Sequence, residues 1–317
     1  MRAVVVREFG GPEVLVAGDV PAPVPRAGEV LVRVGYANIT FVETQVRAGR
    51  APFPAPTPPY IPGNGVGGVT ESGRRVVTST GGTGAYAEYV AVPADEPIDV
   101  PDGLDLADAV ALLADGRTAA ALAAAAQPLA GQRVLVLAAA GGVGSLLVQL
   151  AKRAGATVVA AAGSDVKLDR ARTLGADVTV NYRVPGWTRE VDVVFDGVGG
   201  DIGRAAFESL RDGGRMFVHG LASGSFSDVR DGERGITVTR RVLPDRALTV
   251  GILADAAAGL IKPVVGQRFP LERAADAHAA MEARTTIGKT LLVVSGAGGA
   301  TAASTGSAGD ASSAHRA

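Results

Sequence analysis

A run of small residues, Ala138-Ala139-Ala140-Gly141-Gly142-Val143-Gly144, lies between an apolar stretch and a stretch with helical spacing. Such a run bends a strand sharply into a helix, and the first amides of a helix have no internal acceptor and attract phosphate. The spacing is that of the dinucleotide fingerprint, with Ala139 where the first glycine usually stands. Gly141 would let the backbone approach a pyrophosphate and Gly144 would let the helix pack on the strand, with Ala140, Gly142 and Val143 completing the turn. The chain holds 43 glycines, so the string alone is weak evidence. The strand before it and the helix after it give it weight.

The end of the next strand distinguishes one dinucleotide from another. A carboxylate about 20 residues on usually receives the ribose 2′-hydroxyl. Here the strand ends Ala160-Ala161-Ala162-Gly163-Ser164, and Lys167 follows within one helical turn. A 2′-phosphate wants cations and donors with no facing carboxylate. Ser164, Lys167 and Arg183 supply them, which predicts NADPH as the cofactor. The plainer alternative leaves Lys167 and Arg183 as solvated charges. Asp165 is expected to cap the following helix; turned inward, it would remove the advantage of the phosphorylated form.

Composition narrows the remaining chemistry. There is no cysteine among the 317 residues, which removes disulfides, thiolate catalysis and Cys-ligated zinc, and fits a reducing, cytoplasmic setting. The three histidines, His219, His278 and His315, are scattered, so no metal site is expected. A net charge of −1 and 4% aromatic residues argue against a nucleic-acid partner. The longest apolar runs are too short for a bilayer, and Arg7 and Glu8 interrupt the first one too early for a signal peptide. No Gly-x-Ser-x-Gly elbow exists, and Gly288-Lys289-Thr290 follows a helix into a strand, the reverse of a phosphate loop.

The elements that must hold these residues fall into two textures. Up to about residue 104, short Val-rich strands (30–34, 76–78, 86–92) are separated by Gly and Pro turns, with an irregular Pro-rich loop at 52–62. Residues 106–129 read as a helix. Strands at 133–138, 157–161, 177–181, 191–195 and 215–218 then alternate with helices at 145–154, 165–174 and 202–211. Alternating βαβ units imply a doubly wound parallel sheet. A strand around 236–242, a helix over 247–260, an extended run at 263–269, a helix over 271–283 and a strand at 290–294 follow. The Gly/Ser/Ala/Thr-rich residues 296–317 are expected to be a disordered tail.

With these pieces in place the chain resembles the medium-chain dehydrogenase/reductase superfamily, in its zinc-independent quinone oxidoreductase branch, over about residues 1 to 294. The most specific matches are 138–144, Gly163-Ser164 with Lys167, Asn181-Tyr182-Arg183, Phe195-Asp196-Gly197-Val198-Gly199 and Ile287-Gly288-Lys289. The resemblance implies an α/β fold: a Rossmann doubly wound sheet (106–251) inserted in a GroES-like β-rich domain (1–105 and 252–295), with the active site in the cleft between them. It implies that Gly163, Ser164, Lys167 and Tyr182 surround the adenosine 2′-phosphate. It places Thr118 near the nicotinamide and the backbone of His219-Gly220-Leu221 close by, with His219 a wall residue. Thr118 could equally back-bond within its helix, and Tyr182 could be strand packing. The family's usual Asn and Asp are Thr40 and Glu43 here; Thr40 can donate to a carbonyl oxygen, and Glu43 orients its loop. The segment Pro62-Gly63-Asn64-Gly65-Val66-Gly67-Gly68 stands where zinc-bearing relatives carry a His-Glu pair, and 70–75 replaces their structural lobe. Downstream aromatics are replaced by Gln45 and Ala51, with Phe53 and Tyr60 as possible substitutes. A strand at 236–242 pairing across a two-fold would make a homodimer.

Without a Lewis acid the acceptor must already be electrophilic. The reading is therefore hydride transfer from NADPH to a small quinone or conjugated carbonyl, with the two reactants held in near-attack geometry. Thr40, Glu43, Asn64 and Tyr60 are the candidate catalytic residues. An enoyl reductase and an NADPH-binding regulator with little turnover are the alternatives.

Overall fold

A computed structural model describes residues 1–50, 52–243 and 245–294. The expected tail at 296–317 and Ala51 lie outside the described residues. The β-rich part opens with β1 (Arg2–Val6), β2 (Leu15–Asp19), β3 (Glu29–Ile39), α1 (Phe41–Arg47), β4 (Gly65–Thr70), β5 (Arg75–Ser79), β6 (Tyr89–Pro93) and β7 (Ile98–Asp99). The helix α2 (Leu106–Ala125) leads to β8 (Arg133–Leu137), α3 (Gly142–Arg153), β9 (Thr157–Ala162), α4 (Asp165–Thr173), β10 (Val178–Asn181), β11 (Val191–Asp196), α5 (Gly200–Glu208), β12 (Leu210–Val218) and β13 (Thr237–Thr239). The chain ends its described course with α6 (Arg246–Ala257), β14 (Val265–Pro270), α7 (Ala274–Glu282) and β15 (Lys289–Val293).

Strands β8 to β13 form one six-stranded sheet in the order β10-β9-β8-β11-β12-β13, parallel throughout. This is the doubly wound order, whose switch point lies between β8 and β11, where ligands bind beyond the strand ends. The sequence dictates it plainly: β8 is Arg-Val-Leu-Val-Leu with its four apolar residues buried, as a central parallel strand covered on both faces requires. A second sheet runs β14-β15-β3-β4-β5-β7, with β6 also on β3. Its pairs are antiparallel except β14 with β15. The returning strands β14 and β15 thus join the first-synthesised sheet, because β15 pairs with β3. Where zinc-bearing relatives would carry a lobe, Thr70 and Arg74 close a tight turn between β4 and β5.

Helix α2 locks the two sheets together. Asp105 caps it by accepting from the amides of Ala107 and Asp108, and Val110 and Leu113 lie against the glycines of β4. Its buried face shares one apolar cluster with β8, α3, β9 and Leu291 of β15. Burying each Leu or Val of this kind contributes roughly 1.5–3 kcal/mol.

Several boundaries depart from the sequence reading, three of them with a plain cause or consequence. The helix expected over 202–211 stops at Glu208, because Leu210 pairs with Val191 and opens β12. The helix expected over 106–129 ends at Ala125, just before Gln127-Pro128, since the residue before proline is pushed out of the helical region. The strand expected over 236–242 is three residues long and lies at the outer edge of the parallel sheet.

Candidate active site

The turn after β8 is built by backbone geometry. Ala138 takes a φ of 50°, a left-handed conformation that costs a residue with a side chain about 1 kcal/mol or more. Gly141 donates to Ala138 O at 2.8 Å, and α3 then starts. The amides of Gly142, Val143 and Gly144 lie at its first three positions and so have no intrahelical acceptor. A Cβ on Gly144 would lie 2.3 Å from Ala138 O, so only glycine lets α3 sit this close to β8. A Cβ on Gly141 would meet only Ala138 O, at 3.2 Å, and otherwise point into open space. A Cβ on Gly142 would be 1.8 Å from Asp115 Oδ2, so a carboxylate from α2 abuts the amide end of α3.

At the end of β9, cations gather. Gly163 is followed by Ser164, the N-cap of α4, whose side chain makes no capping bond. Asp165 is therefore the first helical residue rather than the cap, which corrects that expectation: Ser164 already has the extended backbone a cap needs. A Cβ on Gly163 would lie 3.0 Å from both Arg183 Nε and Tyr182 Cε2. Lys167 Nζ donates to Arg284 O at 2.8 Å. Burial first, and then the Arg183 and Arg284 charges, push the Lys167 ammonium below the usual lysine range. Arg284 itself has a φ of 58° and its guanidinium sits 6.0 Å from the Phe41 ring centroid. None of the three cations pairs with a carboxylate among the described residues. Glycines that leave room at Gly141 and Gly163, free amides at α3 and unmatched cations fit a dinucleotide carrying an extra phosphate.

The first sheet supplies a buried polar knot. Thr40 and Glu43 form a capping box at α1. Glu43 Oε2 accepts from Thr40 N at 2.5 Å and Oε1 from Asn64 N at 2.8 Å. Burial pushes the Glu43 carboxyl up to about 7, against these two amides and the Lys289 charge, which favour the ion. Tyr86 OH stands 3.5 Å from Glu43 Oε2 and 2.9 Å from His278 Nε2. Burial holds the fully buried His278 neutral, near 3. Tyr60 pairs through its backbone with Val6, and its buried hydroxyl has no partner. Beside Gly65, Asn38 fills the space a side chain would take: a Cβ there would lie 2.9 Å from Asn38 Nδ2. The Asn38 amide is buried with neither polar atom bonded.

The other sequence candidates sit on α2 and just after β12. Thr118 Oγ1 donates to Ala114 O at 2.8 Å within α2. After β12, the amides of His219 and Gly220 both donate to Asp196 O, and Leu221 is buried. Burial lowers the His219 imidazole to about 4, and its Nε2 is buried without a partner, so it is neutral near pH 7. Asp196 is satisfied by the amides of Val198 and Gly199 and by Ser227 Oγ.

The sheets meet at Ala140 and Gly288, where Gly288 N donates to Ala140 O at 2.7 Å. The next residue, Lys289, is buried and bonds Asp115 Oδ1 at 3.0 Å. Arg284, Lys289, Asp115, Asn38 and the Tyr86–His278 contact escaped the sequence reading. Lys289 was noticed as part of the matched Ile287-Gly288-Lys289, but without its partner Asp115, 174 residues away, and Arg284 could have been suspected as a cation just before that match.

The pattern of families agrees with this construction. Residues 174–292 match the family described as zinc-binding dehydrogenase. Zinc itself does not fit this chain: it has no cysteine, and among the described residues no group of three His, Asp or Glu could hold a metal. A 2-haloacrylate reductase of Burkholderia is 33% identical, over 92% of this chain and 99% of the relative. A quinone oxidoreductase of Pseudomonas aeruginosa is 33% identical, over 90% of this chain and 97% of the relative. The crystal structure of Escherichia coli quinone oxidoreductase complexed with NADPH superposes with a TM-score of 0.85 at 28% identity, covering 92% of this chain and all of that one. With this sheet order, this glycine turn and these end-to-end similarities, the chain belongs to the medium-chain dehydrogenase/reductase superfamily, in its quinone oxidoreductase branch.

Proposed function

We propose that this protein is an NADPH-dependent oxidoreductase that reduces a quinone or similarly electron-poor conjugated carbonyl without zinc. One observation carries the cofactor choice: Lys167, Arg183 and Arg284 converge at the end of β9 with no carboxylate among the described residues paired to them. Three like charges drawn together are costly unless an anion joins them, and a 2′-phosphate there restores the balance. The E. coli relative's complex with NADPH supports the same choice.

In this reading Gly141, Gly142, Val143 and Gly144 receive the pyrophosphate, with Ala140 shaping the turn. Gly163, Ser164, Lys167, Tyr182, Arg183 and Arg284 hold the extra phosphate. Thr118 and the backbone from His219 to Leu221 wall the nicotinamide. The bound cofactor would supply hydride from its ring carbon. Glu43, with an oxygen on each of two backbone amides, fixes the Thr40 and Asn64 segments against one another. It is thereby a loop organiser, leaving the Thr40 hydroxyl and Asn64 to orient an acceptor oxygen, with Tyr60 at the edge. The neutral His219 is not the proton donor; the reduced acceptor takes its proton from water.

In this reading 1–105 with 252–295 is the catalytic part and 106–251 the dinucleotide part, a division supported by β15 pairing back onto β3. No helix among the described residues is long and apolar enough to cross a membrane; a cysteine-free chain suits the reducing cytoplasm. The outer edge of β13 is where a second copy would extend the sheet into a homodimer. The likeness to 2-haloacrylate reductase favours a second reading, in which the acceptor is a conjugated acid or enoyl compound. The test is oxidation of NADPH and NADH at 340 nm against quinones, α,β-unsaturated ketones and 2-haloacrylate. Quinone-dependent turnover with NADPH well ahead of NADH is expected; equal rates with both cofactors would sink the 2′-phosphate argument, and turnover confined to haloacrylate or enones would move the assignment to the second reading.

A further inference from the structure

Asp115 is an odd neighbour for a diphosphate. Its Oδ2 lies 1.8 Å from where a Gly142 Cβ would be, so its carboxylate touches the first residue of α3. That helix end is the part of the molecule that favours negative charge, and a carboxylate already standing there competes with an arriving anion. The opposing charge comes from the other sheet. Lys289 Nζ bonds Asp115 Oδ1 at 3.0 Å, with side chains 4% and 14% exposed. The residue before it, Gly288, is itself hydrogen-bonded to Ala140 in the turn. Lys289 also acts electrostatically on Glu43, and among the described residues its bonded ionic partner is Asp115.

We propose that Lys289 is a positioning residue for the dinucleotide: by pairing with Asp115 it neutralises the carboxylate that abuts the start of α3 and so lets a diphosphate dock there. This rests on the proposed NADPH reading. Low-dielectric surroundings make the pair matter, because an unpaired buried charge is far more repulsive than a solvated one. It also explains why a chain with an acidic residue at this place can keep its glycine turn: the charge is cancelled by a lysine delivered 174 residues later. Removing Lys289 should weaken dinucleotide binding, and removing Asp115 as well should restore it. A lysine that touched the phosphates directly, or that merely held the fold, would not give that rescue.

The test is calorimetric titration of the full chain with NADPH, comparing the unsubstituted protein, Lys289→Met, Asp115→Asn and the double variant. The expected pattern is a Kd raised at least tenfold in Lys289→Met, unchanged or lowered in Asp115→Asn, and within threefold of the unsubstituted protein in the double variant. A Lys289→Met Kd within threefold of the unsubstituted value overturns the proposal, as does a double variant that stays as weak as Lys289→Met. Should Lys289→Met fail to fold, the double variant strands no buried charge and carries the test: folded and tenfold weaker, it overturns the proposal. If the unsubstituted protein itself binds no NADPH, the functional reading falls, and this inference with it.

Discussion

Around Gly144 the backbone does the positioning. An alanine in a left-handed conformation, two glycines and a close helix leave bare amides in the open, and little side chain is involved. Around Glu43 the reverse holds: a carboxyl, a phenol and an imidazole from three distant segments are buried together and each depends on the others. The first region tolerates no added atom at Gly144 but leaves open space at Gly141, as the proposed anion seat requires. The second tolerates no stranded charge, and its chemistry is that of a scaffold for two loops. Geometry made by backbone is stiff but pH-blind; geometry made by buried titratable groups carries a protonation dependence into the fold.

The sharpest way to break that contrast is at the turn. Gly144→Val puts a Cβ 2.3 Å from Ala138 O; it should abolish detectable NADPH binding in titration and cost at least about 1–3 kcal/mol in thermal unfolding. Gly141→Ala meets only the 3.2 Å contact, so it should leave the melting temperature nearly unchanged while weakening NADPH about tenfold by filling ligand space. Unaltered NADPH affinity in Gly141→Ala would show that no ligand approaches there. The next effect is in selectivity. Lys167→Ala or Arg284→Ala should each lower the NADPH-over-NADH affinity ratio about tenfold, the worth of one charge-assisted bond to phosphate, with NADH affinity held. A ratio that stays put would mean these cations face something other than the extra phosphate.

The remaining effect belongs to the buried titratable groups and appears with pH. Glu43, raised to about 7, favours the folded state in its protonated form, so its contribution is full below pH 4.5 and is lost as pH rises through 7. His278 and His219, lowered to about 3 and about 4, act oppositely: they stabilise fully above pH 6.5 and lose that contribution as pH falls through those values. Between pH 4.5 and 6.5 two histidines oppose one glutamate, so the unfolded chain binds more protons than the folded one. Urea unfolding at pH 6.5, 5.5 and 4.5 should therefore show stability falling with acid. A flat or rising profile would mean that the imidazoles are not held neutral by burial.

The same contrast explains what could be read in advance. The apolar run of β8, the small residues after it and the helix of α3 are neighbours in the chain, so local pattern specified strand, bend and helix together. The alternation of strands and helices gave the parallel sheet, and Gly163 with Lys167 marked one side of the proposed phosphate site. Arg284 joins Lys167 across 117 residues, and Tyr86 meets His278 across 192. Nothing in either residue's immediate sequence announces such a partner. Asp165 and the end of α5 went astray for a smaller reason, since the cap lay one residue and the helix end three residues from where pattern placed them. Asn38 was hidden because its importance comes from a missing side chain at Gly65, on a neighbouring strand.

The return of the chain to its first sheet has a consequence for synthesis on the ribosome. Every strand of the parallel sheet is present once residue 239 has emerged, yet Arg284 and Lys289 come 45 and 50 residues after that point. A nascent chain can therefore assemble the glycine bend while Asp115 is still uncompensated and the phosphate pocket lacks one of its cations. In the proposed reading, the complete cofactor site exists only once β15 has paired with β3.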